Sequence, residues 1–297
     1  MPASGLVPEW LLSVVAGATL FTIMFDLGLS IVPMEFRWVV QRPGQIARAL
    51  FAVIVAVPAI AWIVARAVDL PRAAEIGILL MAIAPGAPVA LRRSLGAGGH
   101  RSFAPALQIA VAILAIASMP VSIAALSEYY AGDATIDPRH LARQVLVAQL
   151  LPLGLGMLAK RLLPAVARIE PWLRKAGTLL LVLLAVLALA TVWETVIGAG
   201  WRVAVTIVLI TALAIAVGHA LGGPEPETRT ATAISTAARN TGLALLVASL
   251  NNASPAIIAT VLAYFVISAL TLVPYVYWRR RRTQPSMARN STTGESR

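Results

Sequence analysis

The feature that most constrains this chain is a succession of apolar stretches, each near 20 residues long and bounded by charge, proline or glycine. An α-helix needs about 20 mostly apolar residues to cross the hydrocarbon core of a bilayer. Composition agrees, since 59% of the 297 residues are hydrophobic and 12% are charged, whereas a soluble domain has about 25% charged residues. The sequence therefore predicts an all-α polytopic membrane protein and excludes a soluble enzyme, a disordered chain and a disulfide scaffold.

The apolar stretches divide the chain into about nine candidate transmembrane helices. Their approximate ranges are 9–33, 43–66, 72–91, 102–126, 144–163, 176–198, 201–222, 230–250 and 255–278.

The distribution of basic residues predicts the orientation of these spans. With the N-terminus outside and the C-terminus in the cytoplasm, sixteen Lys and Arg residues fall at inner positions and five at outer positions. An excess of basic residues marks cytoplasmic loops. We therefore expect a multi-pass protein of the cell membrane (plasma or inner membrane) in this orientation. No basic residue precedes Glu9, so no cleaved signal peptide is expected.

Two of the nine spans have irregular centres. The third holds Pro85, Gly86, Ala87 and Pro88, and proline both removes a backbone donor and breaks the helical hydrogen-bond ladder. Open backbone at membrane depth is tolerated only inside the protein or along a water-filled cavity. A simple kink is the alternative, because proline is common in membrane helices.

The eighth span has a polar centre made of Ser235, Arg239, Asn240, Thr241 and Gly242. It runs opposite to the third span across the bilayer. Interrupted helices in corresponding places of two inverted halves indicate a transporter site near the midplane. Asn240, Thr241 and Ser235 could line that site, or they could satisfy backbone groups that the break sets free.

Asp26 and Arg239 are the two charged residues that lie well inside spans. Ionisable groups at such depth face the bundle interior and are candidates for function. The two side chains could form a stabilising pair, or the Arg239 guanidinium could bind a substrate carboxylate or sulfonate. These interpretations are compatible, because a bidentate guanidinium can exchange one carboxylate for another.

The motifs at these positions resemble the bile acid:sodium symporter family. The resemblance rests on Phe25 to Ile31, the basic link from Glu35 to Pro43, Ala84 to Pro88, and Arg239 to Ala244, in the family's order and spacing. It implies a panel subdomain and a core subdomain, related inverted repeats, and two broken helices that cross in the core. It also implies transport of amphipathic organic anions by alternating access.

On this resemblance, residues 1–278 form one transmembrane transporter unit whose crossing helices lie at about 72–91 and 230–250. Residues 279–297 are expected to form a basic, disordered cytoplasmic tail that begins with the run from Arg279 to Arg282. That run is expected to attract anionic lipid. The chain contains no cysteine and no catalytic motif such as HExxH or Gly-x-Ser-x-Gly, so we expect no enzyme activity.

The positions that match the family's sodium ligands have changed. They hold Ala90, Leu91, Ser235, Arg239 and Val53. Sodium needs several hard oxygen ligands. The side chains of Ala90, Leu91 and Val53 have no oxygen, and Arg239 brings a positive charge instead. We therefore expect a secondary transporter of small or amphipathic organic anions that is not coupled to sodium.

Two alternatives stay open: a sodium-dependent symporter with a degenerate site, and a non-transporting membrane sensor or scaffold with the same fold. The expected partners are an organic anion and the lipid bilayer. We expect no cofactor, metal ion or nucleic acid, and the sequence does not predict an oligomeric state.

Overall fold

The computed structural model describes residues 9–30, 41–129 and 138–292, and every regular element in these ranges is helical. The α-helices are α1 (Glu9–Ser30), α2 (Pro43–Phe51), α3 (Val57–Val68), α4 (Arg72–Ala82), α5 (Pro88–Gly96), α6 (Phe103–Tyr129), α7 (Pro138–Val145), α8 (Leu151–Leu162), α9 (Glu170–Ala199), α10 (Trp201–Leu221), α11 (Pro226–Ala237), α12 (Thr241–Leu250) and α13 (Pro255–Thr292). The basic link that contains Glu35 and Arg37 lies outside the described residues.

The predicted all-α class is confirmed for the described part of the chain. Five helical segments are long and apolar enough to cross a membrane: Pro43–Val68, Phe103–Leu126, Arg139–Leu162, Trp201–Leu221 and Pro255–Arg282. A shorter apolar helix covers Val14–Ser30. These segments make the chain a multi-pass membrane protein, while the number of nine spans and the inverted repeats stay predictions.

The outer faces of the helices are apolar. Leu179 of α9 is 70% exposed, Leu270 of α13 is 65% exposed and Val121 of α6 is 68% exposed. The core contains fully buried large side chains such as Phe103 and Tyr264. Large apolar side chains on both the inside and the outside of a helix bundle are typical of a protein whose solvent is lipid.

Two π-helical turns interrupt otherwise continuous helices, and each is followed by a proline. In the turn Ala52–Ala56, the Val57 N–H donates to the Ala52 carbonyl, five residues back instead of four. The next residue, Pro58, has no N–H to donate. The Val53 carbonyl therefore has no donor in its own helix. The turn Leu146–Leu150 repeats this arrangement, with Pro152 after it.

The predicted breaks are present in the third and eighth helical segments. The first break separates α4 from α5, and the second separates α11 from α12. The breaks are in contact, because the Asn240 N–H donates to the Ala84 carbonyl at 3.0 Å. The Asn240 side chain also donates to the Gly86 carbonyl at 3.4 Å. Each break thus provides hydrogen-bond partners for some of the backbone groups that the other break leaves without a helical partner.

Helices α1 and α8 pack backbone to backbone through two glycines. A Cβ atom added at Gly28 would lie 2.2 Å from the Leu153 carbonyl oxygen, and one at Gly156 would lie 2.3 Å from the Phe25 carbonyl oxygen. Only glycine permits this approach, as at other close contacts between membrane helices. The contact fixes α1 to α8.

Helix α13 continues into the segment expected to form the cytoplasmic tail and ends at Thr292. Arg279 is buried and donates to the Thr230 hydroxyl at 2.6 Å and to the Pro226 carbonyl at 2.8 Å. Arg280 donates to the Gly96 carbonyl at 2.8 Å. These contacts hold the end of α13 against α11 and α5, which composition alone does not reveal. Residues 293–297 lie outside the described part of the chain.

Candidate functional site

A narrow cleft lies where the two breaks face α1 and α9. Its volume is about 30 Å³, enough for about two water molecules. The side formed by α1 and α9 contributes Thr19, Leu20, Ile23, Leu181 and Leu184. The opposite side contributes Ala87, Val89, Arg239, Asn240, Thr241, Gly242 and Phe265. The side formed by α1 and α9 is therefore apolar except for Thr19, whereas the opposite side includes the polar residues Arg239, Asn240 and Thr241.

Arg239 is the charged residue among those that line this cleft. Its side chain is buried, with the residue only 4% exposed. The Nη1 and Nη2 atoms both donate to the Val53 carbonyl at 3.0 Å, and the Nε atom has no partner. Among the described residues, no carboxylate forms an ion pair with Arg239.

The π-helical turn explains why the guanidinium is held at this place. The Val53 carbonyl has lost its partner in the helix because Pro58 has no N–H, and a buried carbonyl without a donor is costly. Arg239 satisfies that carbonyl from the second break. The carbonyl is a neutral acceptor, so the guanidinium charge is left without a counter-charge.

Asn240 has a structural role as well as a place in the cleft. Its Oδ1 atom accepts a hydrogen bond from the Leu243 N–H at 3.1 Å and caps the N-terminus of α12. Asn240 thus satisfies backbone groups at the breaks, which is one of the two roles that the sequence left open for this side chain. Thr241 and Gly242 also line the cleft, and the buried Thr241 hydroxyl has no partner.

The first break is shaped by Gly86, which has a φ of +81°. This left-handed conformation costs little for glycine and much more for other residues. Pro85 and Gly86 are buried, Ala87 lines the cleft, and Pro88 begins α5. The structure thus brings five of the predicted residues to one cleft: Ala87, Arg239, Asn240, Thr241 and Gly242.

Ser235 is buried on α11 but is not among the residues that line the cleft. Ala90 and Leu91, two of the changed sodium-ligand positions, are buried on α5. Of the matching positions, Val53 provides its backbone carbonyl to Arg239. The guanidinium therefore occupies an oxygen that could otherwise coordinate a cation.

The predicted pair between Asp26 and Arg239 is wrong. The Asp26 carboxylate, in α1, forms an ion pair with Arg92 of α5, and its Oδ1 atom has no partner. Arg92 also donates to the Arg174 carbonyl at 3.3 Å and to the Thr178 hydroxyl at 3.4 Å. Sequence spacing estimates the depth of a charge in the membrane, but not which neighbouring helix lies within its reach.

Two buried glutamines next to the first break were not identified from the sequence. Gln108 of α6 donates to the Gly86 carbonyl at 2.9 Å, and Gln149 of the second π-helical turn is fully buried. Both are polar residues inside apolar spans. That isolated polarity is the signal that could have identified them.

A family model described as the sodium bile acid symporter family matches residues 18–199, which is more than half of the chain. A Bacillus subtilis protein named uncharacterized sodium-dependent transporter YocS is 27% identical over 139 residues. That match covers 46% of this chain and 42% of the relative. The matched region is therefore less than half of the relative's length.

Proposed function

Since the chain belongs to the sodium bile acid symporter family, a family of membrane transporters, we propose that it carries small or amphipathic organic anions by alternating access. The observation that carries the proposal is Arg239, which is among the residues that line the cleft and whose buried guanidinium has no carboxylate partner among the described residues. A buried charge without a counter-charge is unfavourable unless a ligand or a neighbour compensates it. A carboxylate or sulfonate is the ligand that fits.

The remaining donors of the site favour the same ligand. A guanidinium has five N–H donors, and the Val53 carbonyl occupies two nitrogens while leaving Nε unpaired. Thr241 lines the cleft, and its buried hydroxyl is also unpaired among the described residues. Leu20, Ile23 and other apolar residues face these donors, so an amphipathic anion could place its charged group at Arg239 and its carbon skeleton against α1 and α9.

The cleft volume favours a closed state of the carrier. A volume of about 30 Å³ is far below the roughly 300 Å³ or more of typical ligand pockets. Substrate entry therefore requires the helices α1 and α9 to separate from the two breaks. Such movement of one subdomain against the other is the ordinary basis of alternating access.

The proposed transport is not coupled to sodium. Three matching ligand positions are Val53, Ala90 and Leu91, and Arg239 places a positive charge in the same region. A cation beside the guanidinium would be repelled. The second candidate is a sodium-dependent carrier that uses backbone oxygens, and the name of the Bacillus relative favours it. A non-transporting sensor would bind the anion without moving it.

The proposed orientation places the N-terminus outside and the C-terminus in the cytoplasm of the cell membrane. Arg279 is buried against α11, so an interaction with anionic lipid is proposed for Arg281 and Arg282. Their guanidinium groups lie over the Tyr277 and Trp278 rings, near the end of the apolar part of α13. Basic and aromatic residues commonly occupy such interfacial positions.

The test measures thermal unfolding of the purified protein in lipid nanodiscs against a panel of carboxylates and sulfonates, with sodium or potassium as the only cation. A ligand that binds only the folded state raises the unfolding midpoint with its concentration. We expect at least one anion to stabilise the protein equally in both salts. Uptake of that anion into proteoliposomes then separates a carrier from a sensor.

The decisive variants are Arg239→Gln and Arg239→Lys. The Arg239→Gln variant should bind the anion at least about ten-fold more weakly than wild type, which is the effect of one charge-assisted hydrogen bond. The Arg239→Lys variant keeps the positive charge but not the planar guanidinium fork, so its anion affinity should fall less. Arg202→Gln, at an exposed position of α10, is the control and should bind as wild type. Unchanged affinity in Arg239→Gln would eliminate the anion site, and a requirement for sodium would favour the second candidate.

A further inference from the structure

Three side-chain amides converge on the first break. Gln108 and Asn240 donate to the Gly86 carbonyl at 2.9 and 3.4 Å. A Cβ atom added at Gly86 would lie 3.6 Å from the Gln149 Oε1 atom and 3.7 Å from the Gln108 Nε2 atom. Gln149 therefore approaches the same residue from a different helical segment, the π-helical turn Leu146–Leu150.

Gln149 differs from the other two amides because it has no hydrogen bond. Its exposed fraction is 0%, and neither its Nε2 nor its Oε1 atom has a partner among the residues that the structure describes. A side-chain amide can donate two hydrogen bonds and accept two. A native protein rarely buries such a group without a partner, and the exceptions call for an explanation such as a functional role.

The contrast with Gln45 shows what a structural glutamine looks like in this chain. Gln45 of α2 is also buried, but its amide donates to the Gly222 carbonyl at 3.1 Å and to the Thr228 hydroxyl at 2.8 Å. It connects α2 to the start of the eighth helical segment. Gln149 makes no such connection, so holding helices together does not account for its amide.

The unpaired amide lies next to the candidate anion site. Gly86 is the direct neighbour of Ala87, which lines the cleft, and it is hydrogen-bonded to Asn240, the direct neighbour of Arg239. A ligand whose anionic group is at Arg239 could therefore reach the amide cluster with another part of its skeleton. A hydroxyl group can donate to and accept from one amide, and a carbonyl group can accept from its Nε2 atom.

We infer that Gln149 forms a second polar subsite, which selects organic anions that carry a hydroxyl or carbonyl group in addition to the anionic group. The inference rests on the proposed function, because the subsite recognises the neutral part of the anion that Arg239 binds. Gln108 is a positioning residue, since it orients the Gly86 carbonyl beside Gln149. The subsite adds discrimination that a purely apolar cleft could not provide.

The experiment compares carboxylates with and without one hydroxyl group, octanoate against 8-hydroxyoctanoate and 5β-cholanate against lithocholate. Affinities are measured by thermal shift on the full chain in nanodiscs, at concentrations below micelle formation. For wild type we expect the hydroxylated member of at least one pair to bind about ten-fold more tightly. In Gln149→Met the preference should fall below about two-fold, while the affinity for the other member stays the same.

The midpoint of the ligand-free protein provides a second, independent measurement. Gln149→Met removes a buried unpaired amide and keeps the volume similar, so the midpoint should stay the same or rise. The matched control Gln45→Met removes two hydrogen bonds and should lower the midpoint while keeping the hydroxyl preference. A lower midpoint in Gln149→Met would indicate a structural glutamine and overturn the inference, as would an unchanged preference in that variant.

The failure of the subsite and the failure of the anion site give different results. Binding of both members of each pair with equal affinity by wild type overturns the subsite and leaves the anion site intact. Absence of binding by every member, in wild type and in Arg239→Gln alike, overturns both. Arg239→Gln is expected to lose both members of a pair together, whereas Gln149→Met is expected to lose only the difference between them.

Discussion

Asp26 and Arg239, the two charges inside the spans, have partners of different kinds. Asp26 has a full counter-charge in Arg92, whereas Arg239 has only the Val53 carbonyl. The Asp26–Arg92 ion pair neutralises a buried carboxylate. The hydrogen bonds from Arg239 to Val53 leave the buried guanidinium charge available for an anionic ligand. This difference assigns a structural role to Asp26 and makes Arg239 the candidate for binding.

The Asp26–Arg92 pair leads to a prediction of unequal effects. Arg92→Gln leaves a buried carboxylate without a counter-charge, so it should destabilise the protein by about 1–3 kcal/mol. Asp26→Asn should cost less, because the Arg92 side chain is 29% exposed and can turn toward solvent. Chemical unfolding in detergent measures both. Arg101→Gln, at an exposed position, is the control.

The anion affinity of the Asp26→Asn variant tests whether Asp26 belongs to the anion site. Asp26→Asn should bind the anion within about two-fold of wild type, since Asp26 does not contact Arg239. A loss as large as that of Arg239→Gln would mean that the two charges act in one site. Equal stability of Arg92→Gln and the Arg101→Gln control would show that the ion pair contributes nothing.

At the scale of elements, the two helices α1 and α8 depend on small residues at one contact. Gly156 of α8 leaves no room for a side chain, since a Cβ atom there would lie 2.3 Å from the Phe25 carbonyl oxygen. Gly154, two residues earlier on the same helix, has nothing within 4 Å of its added Cβ atom. Gly154 and Gly156 are therefore the same residue type, on the same helix and two positions apart, and they differ in the space around them.

Gly156→Leu and Gly154→Leu should therefore differ sharply. The first forces α1 and α8 apart and should strongly reduce the amount of monodisperse protein in size-exclusion chromatography, with overpacking costs of at least about 1–3 kcal/mol. The second should express and elute as wild type. Similar behaviour of the two variants would contradict the backbone contact between these helices.

Much of this element structure could be predicted from the sequence, because apolar run length and helix breakers act locally. Pro85 and Gly86 correctly predicted the first break, and the polar run at Arg239 and Asn240 the second. The partner of Asp26 could not be predicted in this way. It depends on which helix faces which, and spacing along one chain does not fix the rotation or the neighbours of a helix.

The π-helical turn at Ala52–Ala56 was missed for a related reason. Pro58 is visible in the sequence, but a proline in a membrane helix is compatible with a kink, a bulge or a regular first turn. Which of these occurs depends on the donor that satisfies the freed carbonyl. Here that donor is Arg239, which lies 186 residues farther along the chain.

At the scale of the whole molecule, the proposed odd number of spans can be tested directly. The chain contains no cysteine, so a labelling reagent can react only with the single cysteine that each variant introduces. Cysteines at Ser127 and Ser286 should react with a membrane-impermeant maleimide from opposite sides of intact cells, with Ser127 outside. Labelling from the same side would contradict nine spans with the N-terminus outside. A cysteine at an apolar position such as Leu270 is the unreactive control.

The fixed guanidinium of Arg239 has a consequence for the direction of transport. Two sodium ions that travel with a monovalent anion carry a net positive charge inward, so a negative-inside membrane potential drives uptake. Arg239 stays with the protein and returns in each cycle, so the anion crosses with its own negative charge uncompensated. Each charge is worth about 2.3 kcal/mol per 100 mV, and the potential then opposes entry. By itself, the carrier that we propose would be suited to moving anions out of the cell.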